Sequence, residues 1–246
     1  MCTYILAWQV FPDTPVAVAA NRDELLDRPS VPPALLETEP RVVAPRDEEA
    51  DGTWIGHNEH GLVVAVTNLW TEADLAGERS RGLLVRDTLR SASAEAAARH
   101  VESAVEDHEY EGFHVVVADA NAAFLLAWDG RLRVHRFDPG VHVVRNAGYD
   151  DSWFVPEHRQ EPARQQAEDA GLTLAELAVE PGESATAWLE RAKTVLADHE
   201  YGLCIHRDTF GTRSSSVISV GEGGATYEFA EGPPCETAYE RVESQV

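Results

Sequence analysis

The sequence predicts an α+β fold in which two antiparallel sheets pack face to face between helix layers, an αββα sandwich. Three observations carry this. Strand-like runs occur in groups joined by short turns, helical stretches occur in groups between them, and the closely spaced strands favour hairpins over alternating βαβ units. A length of 246 residues, 43% apolar, with six tryptophans, suits one domain over 1–246 with a full core.

Taken in order, residues 3–10 are apolar and β-branched, 12–15 carry turn chemistry, and 16–20 form a second apolar run. As an antiparallel hairpin they bring Cys2 and the segment Asn21-Arg22-Asp23 to the same end of the sheet. Residues 28–52, rich in Pro, Glu and Asp, read as a long surface loop. A second hairpin is expected over 53–68, turning at 58–61, and one helix over 80–108 with Ser80 as its cap. Four strands follow at 113–118, 123–128, 132–137 and 141–144, with Asp129-Gly130 and Pro139-Gly140 as turns. Helices over 156–170 and 184–199 then precede closing strands near 203–206, 215–220 and 226–230.

Acidic residues outnumber basic ones 43 to 20, giving a net charge of −23, and Lys193 is the one lysine. Such a surface repels nucleic acid and anionic membranes. It also resembles proteins adapted to a salt-rich cytoplasm, where screening shortens self-repulsion. The N-terminus lacks the charged and apolar regions of a secretion signal, and no apolar run is long enough to insert into a membrane. Three widely spaced cysteines (Cys2, Cys204 and Cys235) form neither a disulfide framework nor a zinc-ligand spacing. These features point to a reduced, cytoplasmic protein that needs no metal or organic cofactor. Cys204 and Cys235 read as incidental. His57, His60, His135, His142 and His206 show no metal-binding spacing and read as solvated surface groups. Trp54, Trp70, Trp128 and Trp153 read as core or pocket wall.

Position 2 carries the sharpest chemical signal. Methionine before a small residue is normally removed, which would leave Cys2 with both a thiol and a free α-amine. The amine, titrating at roughly 7.7–8.0, can act as base for the thiol of the same residue. Further signatures accompany it in order: Asn21-Arg22-Asp23-Glu24, Arg28-Pro29, Asp51-Gly52-Thr53-Trp54-Ile55-Gly56, Asn58-Glu59-His60-Gly61-Leu62, Val66-Thr67-Asn68, Ser80-Arg81-Gly82, Arg145-Asn146 with Trp153, and Phe210-Gly211-Thr212-Arg213-Ser214-Ser215.

Together these motifs resemble the NRDE family, which includes the transport-and-Golgi-organisation 2 proteins. That family is similar to N-terminal-nucleophile hydrolases of the bile-salt-hydrolase and penicillin-acylase kind. The resemblance implies an αββα sandwich and cleavage of non-peptide C–N bonds, or acyl transfer, through a Cys2 thioester. It implies Cys2 as nucleophile, Asp23 as the group orienting its amine, Asn68 and Asn146 as oxyanion donors, and Arg213 as stabiliser of the thiolate or anchor for a substrate carboxylate. Asn21, Arg22 and Trp70 are expected to contact a small-molecule substrate. Where the wider group has arginine just before Asn-x-Asp, Ala20 stands here, and strand alternation puts Arg22 on the same side. A low-pKa Cys2, more reactive than Cys204 or Cys235, follows from the hydrolase reading. The resemblance also implies a competing role as a non-catalytic carrier of a hydrophobic ligand such as haem or an acyl lipid.

The charge reading has a direct test. The thermal midpoint should climb steeply from low to molar KCl as screening relieves self-repulsion. A flat midpoint would count against adaptation to a salty cytoplasm.

Overall fold

A computed structural model describes residues 2–243. Strand β1 (Thr3–Phe11) turns into β2 (Thr14–Leu25), with Thr3 opposite Asn21 and Trp8 opposite Val16. Both strands are covered on both faces, and so residues 3–8 form a continuous apolar run rather than an alternating one. Tyr4, Leu6 and Trp8 enter the core between the sheets, while Ile5 and Ala7 face the helices.

The segment expected as a loop over 28–52 is largely a hairpin of β3 (Ser30–Thr38) and β4 (Arg41–Asp47). Pro32 and Pro33 disguise it. They are tolerated because β3 is the outermost strand of its sheet, and the pairing is irregular between Val31 and Ala34. The next hairpin, β5 (Ile55–Asn58) and β6 (Val63–Asn68), is as expected, with Gly61 at φ 74° in its turn.

Two helices, α1 (Arg81–Thr88) and α2 (Ala94–Asp107), replace the single helix expected over 80–108. The Ser80 side chain caps α1 as predicted, but Ser93 caps a second helix by accepting the Ala96 N–H. Asn58 secures the break by donating to the carbonyls of Leu89 and Ser91, at 2.7 and 2.8 Å.

Strands β7 (Phe113–Ala118), β8 (Ala123–Trp128), β9 (Leu132–Arg136) and β10 (Gly140–Arg145) match the four predicted runs closely. Two short strands, β11 (Gly148–Tyr149) and β12 (Ser152–Trp153), lead to α3 (Gln160–Glu176) and to α4 (Ala185–Ala197), which Ser184 caps. The strand expected near 203–206 is a loop with one bridge, His206 to Gly211, because side chains claim the carbonyls of Leu203 and Cys204 and that of Gly202 just before them. Asn21 donates to Leu203 O and Arg145 to Gly202 O. Strands β13 (Phe210–Gly221), β14 (Gly224–Ala230) and β15 (Glu240–Arg241) follow.

One sheet runs β12-β11-β10-β1-β2-β13-β14-β15 and the other β3-β4-β5-β6-β7-β8-β9, with antiparallel pairing. Their facing sides share a core that includes Leu6, Val18, Val63, Val116 and Tyr227. Helices α1 and α2 cover the outer face of the second sheet, with Leu84 and Val101 in one cluster with Val64, Val115 and Val117. Helices α3 and α4 cover the first, where Trp188 and Leu196 pack with Ile5, Ala17 and Ala19. This is the predicted four-layer αββα sandwich. No helix among the described residues is long and apolar enough to cross a membrane.

Two histidines depart from the surface expectation. His57 is fully buried and meets Tyr227 edge-on, 6.1 Å between ring centroids, across the space between the sheets. His142 is largely covered, with Nδ1 2.8 Å from the Asp150 carboxylate. Burial pushes the His57 pKa down to about 4, so the ring stays neutral in the folded chain. The unfolded chain takes up a proton at this residue below about pH 6.5. Stability is therefore full above that pH and is lost as pH falls towards 4, by up to ~1.4 kcal/mol per pH unit. Between about pH 7 and about pH 5, the thermal midpoint of His57→Phe should fall less than that of the parent. Equal slopes would overturn the assignment.

Candidate active site

The register of β1 against β2 sets the site. With Thr3 opposite Asn21, Cys2 arrives beside the end of the Asn21–Asp23 segment. Its thiol lies 3.7 Å from the Asp23 carbonyl oxygen, and its backbone N–H donates to Asn146 Oδ1 at 3.2 Å. Asn146 follows β10, the other neighbour of β1. Its Nδ2 donates to Asn68 O at 2.6 Å, and its Oδ1 also accepts from Gln166 of α3 at 3.3 Å. Asn146 thus braces Cys2 against the end of β6, with its Nδ2 engaged on Asn68 O. Asn68 itself is exposed and lines the cleft in front of Cys2.

Asp23 is buried and accepts a 2.6 Å hydrogen bond from the Thr212 hydroxyl. Burial pushes its carboxyl up to about 6, against the lowering influence of the amino-terminal charge, Thr212 and Arg145. Burial also raises the Cys2 thiol above its ordinary range, although the amino-terminal charge and Arg22 pull the other way. That direction runs against the low-pKa thiolate expected from the sequence.

The cleft is about 330 Å³, and Arg22, Arg28, Arg79 and Arg81 all line it. Arg22 leaves β2 on the side of Ala20 and crosses to the other sheet. There it meets Asp47 Oδ2 at 2.9 Å, with its guanidinium 4.1 Å from the centre of the Trp54 ring. Arg28 Nε reaches the same carboxylate oxygen at 2.6 Å, and the Ala50 N–H donates to Asp47 Oδ1 at 2.9 Å. Burial alone would raise the Asp47 carboxyl, but Arg28, the Ala50 N–H and Arg22 outweigh it and hold the group below the usual carboxylate range.

Arg81 comes from the first turn of α1 and donates to Gly112 O at 2.9 Å. Its position depends on glycine. A Cβ on Gly52 would lie 2.3 Å from the Gly82 carbonyl carbon, so only glycine lets this segment lie against the start of α1, where the Thr53 N–H bonds Gly82 O. The Asp51-Gly52-Thr53-Trp54 and Ser80-Arg81-Gly82 motifs thus form one wall.

The remaining predicted residues lie as follows. The Asn21 amide nitrogen donates to Leu196 O and Leu203 O at 2.9 and 3.0 Å, on the helix side of the sheet, where it anchors structure rather than substrate. Arg213 sits in a β-bulge between Thr212 and Ser214, reaches Arg28 O at 3.4 Å, and does not line the cleft. Trp70 lines an adjoining cleft of about 720 Å³ with the Arg159 guanidinium 4.8 Å from its ring centre. The two clefts share Asn68, Arg81 and Glu111. Asp47, Arg81 and Thr212 were not among the predicted site residues, although the last two lie inside motifs that the sequence displays. Cys204 and Cys235, incidental by spacing, meet with Sγ atoms 3.4 Å apart beside His199 and His206.

A thiol, a buried carboxylate and a carboxamide now line one end of a cleft rich in charged side chains. Such a set can hold an amine, move a proton and receive an acyl group.

A family model described as Transport and Golgi organisation 2 matches residues 1–232. A Transport and Golgi organization protein 2 homolog from Bos taurus is 26% identical over 230 residues, covering 84% of this chain and 82% of the relative. The Mus musculus homolog is 25% identical over 228 residues, again covering 84% and 82%. Among solved structures, penicillin V acylase from Agrobacterium tumefaciens superposes with a TM-score of 0.59 at 16% identity, over 94% of this chain and 83% of that one. A Caenorhabditis elegans ortholog of N-acylethanolamine-hydrolyzing acid amidase gives 0.57 at 13% identity, over 88% and 92%. These likenesses show the N-terminal-nucleophile hydrolase fold. By the family match over almost its whole length, the chain belongs to the Transport and Golgi organisation 2 family.

Proposed function

We propose that the protein is an N-terminal-cysteine hydrolase that cleaves a non-peptide amide, or transfers an acyl group, through a Cys2 thioester. The observation that carries this is the double tether of Cys2, backbone nitrogen on Asn146 and thiol on the Asp23 carbonyl, at the mouth of the cleft.

Removal of Met1, which lies outside the described residues, would free the Cys2 α-amine. Asp23 holds that amine through charge and hydrogen bonding. The amine takes the thiol proton, and Sγ attacks the substrate carbonyl carbon. Asn68 donates to the oxyanion while Asn146 keeps the strand ends in place. On collapse the C–N bond breaks, the leaving nitrogen takes the proton from the ammonium, and the thioester remains. Water then attacks the thioester, giving a proton to the amine and an oxygen to the acyl carbon, and the thiol is regenerated. A reduced Cys2 is required throughout, which fits a reducing cytoplasm.

The four arginines favour a substrate with a polar or anionic group near the scissile bond, while Leu69, Leu75 and Phe210 in the adjoining cleft suit an apolar acyl part. A non-catalytic carrier for haem or an acyl lipid accounts less well for a cleft lined by so many charged side chains.

The first test is of processing. Intact-mass analysis should find a chain that begins at Cys2, and a variant with residues fused ahead of Cys2 should be inactive. A retained methionine in an active preparation would sink the mechanism.

Turnover on an amide and thioester panel should vanish in Cys2→Ala. It should fall by more than about 100-fold in Asn68→Ala, the equivalent of ~3 kcal/mol in transition-state stabilisation. Below about pH 6 Asp23 takes up a proton and releases the ammonium, so the acid limb of kcat/KM should steepen there. In Asp23→Asn the rate should be lower and the steepening absent. A Cys2→Ala variant that keeps full activity, or an unchanged acid limb in Asp23→Asn, would reject the assignment.

A further inference from the structure

The loop after α4 and the segment between β14 and β15 meet at four side chains that the proposed reaction does not use. His199, Cys204 and His206 come from the loop, and Cys235 comes from the C-terminal segment. Cys204 Sγ lies 3.4 Å from Cys235 Sγ and 3.6 Å from His206 Nε2, and His206 Nε2 lies 3.1 Å from Cys235 Sγ. One ligand atom from each of the four falls within 4.8 Å of all the others.

These separations have a chemical meaning. Zinc bonds of roughly 2.3 Å to sulfur and 2.0–2.1 Å to nitrogen, at tetrahedral angles, put neighbouring ligand atoms about 3.3–3.8 Å apart. Two of the three distances, 3.4 and 3.6 Å, lie within that range, and the third, 3.1 Å, falls just short of it. The ligands are two thiols and two imidazoles, the set that selects tetrahedral zinc over the oxygen-seeking cations.

The surroundings fit as well. His199 Nδ1 lies 3.2 Å from Cys204 O. With Nδ1–H donating there, Nε2 carries the lone pair, the arrangement that orients metal-bound histidines. Cys204 is buried and fixed in the fold. Cys235 follows Pro233-Pro234, and the Glu236 and Thr237 N–H groups both return to Pro233 O, so a rigid turn presents its thiol.

We propose that His199, Cys204, His206 and Cys235 form a structural zinc site that clips the C-terminal segment to the loop after α4. The sequence conceals it, because Cys235 stands far along the chain from the other three and no C-x-x-C or H-x-x-x-H spacing occurs among them. All four protein ligands are present, which marks a closed structural site rather than a catalytic one. The expected effect is on stability, through metal binding to the folded chain.

The test uses the full chain purified under reducing conditions. Elemental analysis should find one zinc per chain, unaltered in Cys2→Ala and lost in Cys204→Ser with Cys235→Ser. Added to the metal-stripped chain, Co²⁺ should give the strong visible bands and thiolate charge-transfer band of a tetrahedral site. Cys235→Ser, at an exposed position, should weaken Co²⁺ and Zn²⁺ binding by at least about 100-fold while the circular dichroism of the metal-free forms stays the same. Zn²⁺ should raise the thermal midpoint of the parent and leave that of the variant unmoved. Zinc retained by the double variant would overturn the proposal. So would failure of the parent to bind Zn²⁺ or Co²⁺, or a reduced preparation in which Cys204 and Cys235 are joined as a disulfide.

Discussion

The register of β2 is the constraint on which the site depends. This strand lies between β1 and β13 and is buried on both faces, so alternate residues are committed to different layers. Ala20 and Arg22 face the second sheet, where Arg22 finds Asp47 and Trp54. Asn21 faces the helices and takes the carbonyls of Leu196 and Leu203. A slip of one residue would send a guanidinium into the helix layer and a carboxamide into the intersheet core, each without the partners it now has. Burial of an unpaired charge costs several kcal/mol, so the polar residues of this strand fix the register as firmly as its valines do. The same register delivers Asp23 to Thr212 and to Cys2.

Ion pairing explains how a strongly acidic chain gathers four arginines at one cleft. With 43 acidic residues against 20 basic ones, most carboxylates must be solvated at the surface. Arginines at the cleft meet specific acids: Arg22 and Arg28 share Asp47, Arg81 pairs with Glu111, and Arg79 pairs with Asp87. Asp23, Glu24, Asp47 and Glu111 line the same cleft, so the four guanidiniums face four carboxyl groups there.

Much of this was legible in the sequence, for identifiable reasons. Hairpins whose strands alternate or run apolar between Gly and Pro turns were read nearly to the residue, as at β7 to β10. The three misreadings share a cause, local composition outweighed by a distant partner. Pro32 and Pro33 look like a loop until an edge position accommodates them. Ala-rich 80–108 looks like one helix until Asn58, from another strand, binds the carbonyls at its break. Residues 203–206 look like a strand until the Asn21 and His199 side chains take the carbonyls of Leu203 and Cys204. Within the candidate site, Cys2, Asp23, Asn68 and Asn146, named from the ordered motifs, lie near one another at one end of the strands. The bulge at Arg213 escaped notice, since nothing in a run of Thr, Arg and Ser announces an extra residue. The irregular pairing there leaves Thr212 opposite Asp23 and Ser214 opposite Arg22, with Arg213 between them.

The loop from His199 to Thr212 is joined to the site by a short chain of bonds. Leu203 O accepts from Asn21, two residues before Asp23. Ile205 and Thr212 exchange two hydrogen bonds, backbone to hydroxyl at 2.9 Å and backbone to backbone at 2.8 Å. The same Thr212 hydroxyl then donates to Asp23 at 2.6 Å. A hydroxyl has one proton to give, and here it goes to the carboxylate while a backbone N–H fills its lone pair, which polarises it further towards Asp23. The carboxylate proposed to hold the amine of Cys2 is therefore set by a loop on the helix side, not by the cleft in which substrate would sit. Whatever fixes Cys204 and His206 in place fixes the frame of that hydroxyl. The geometry of Asp23 is thus a property of two layers of the sandwich at once, which is why the fold must be complete before the site exists.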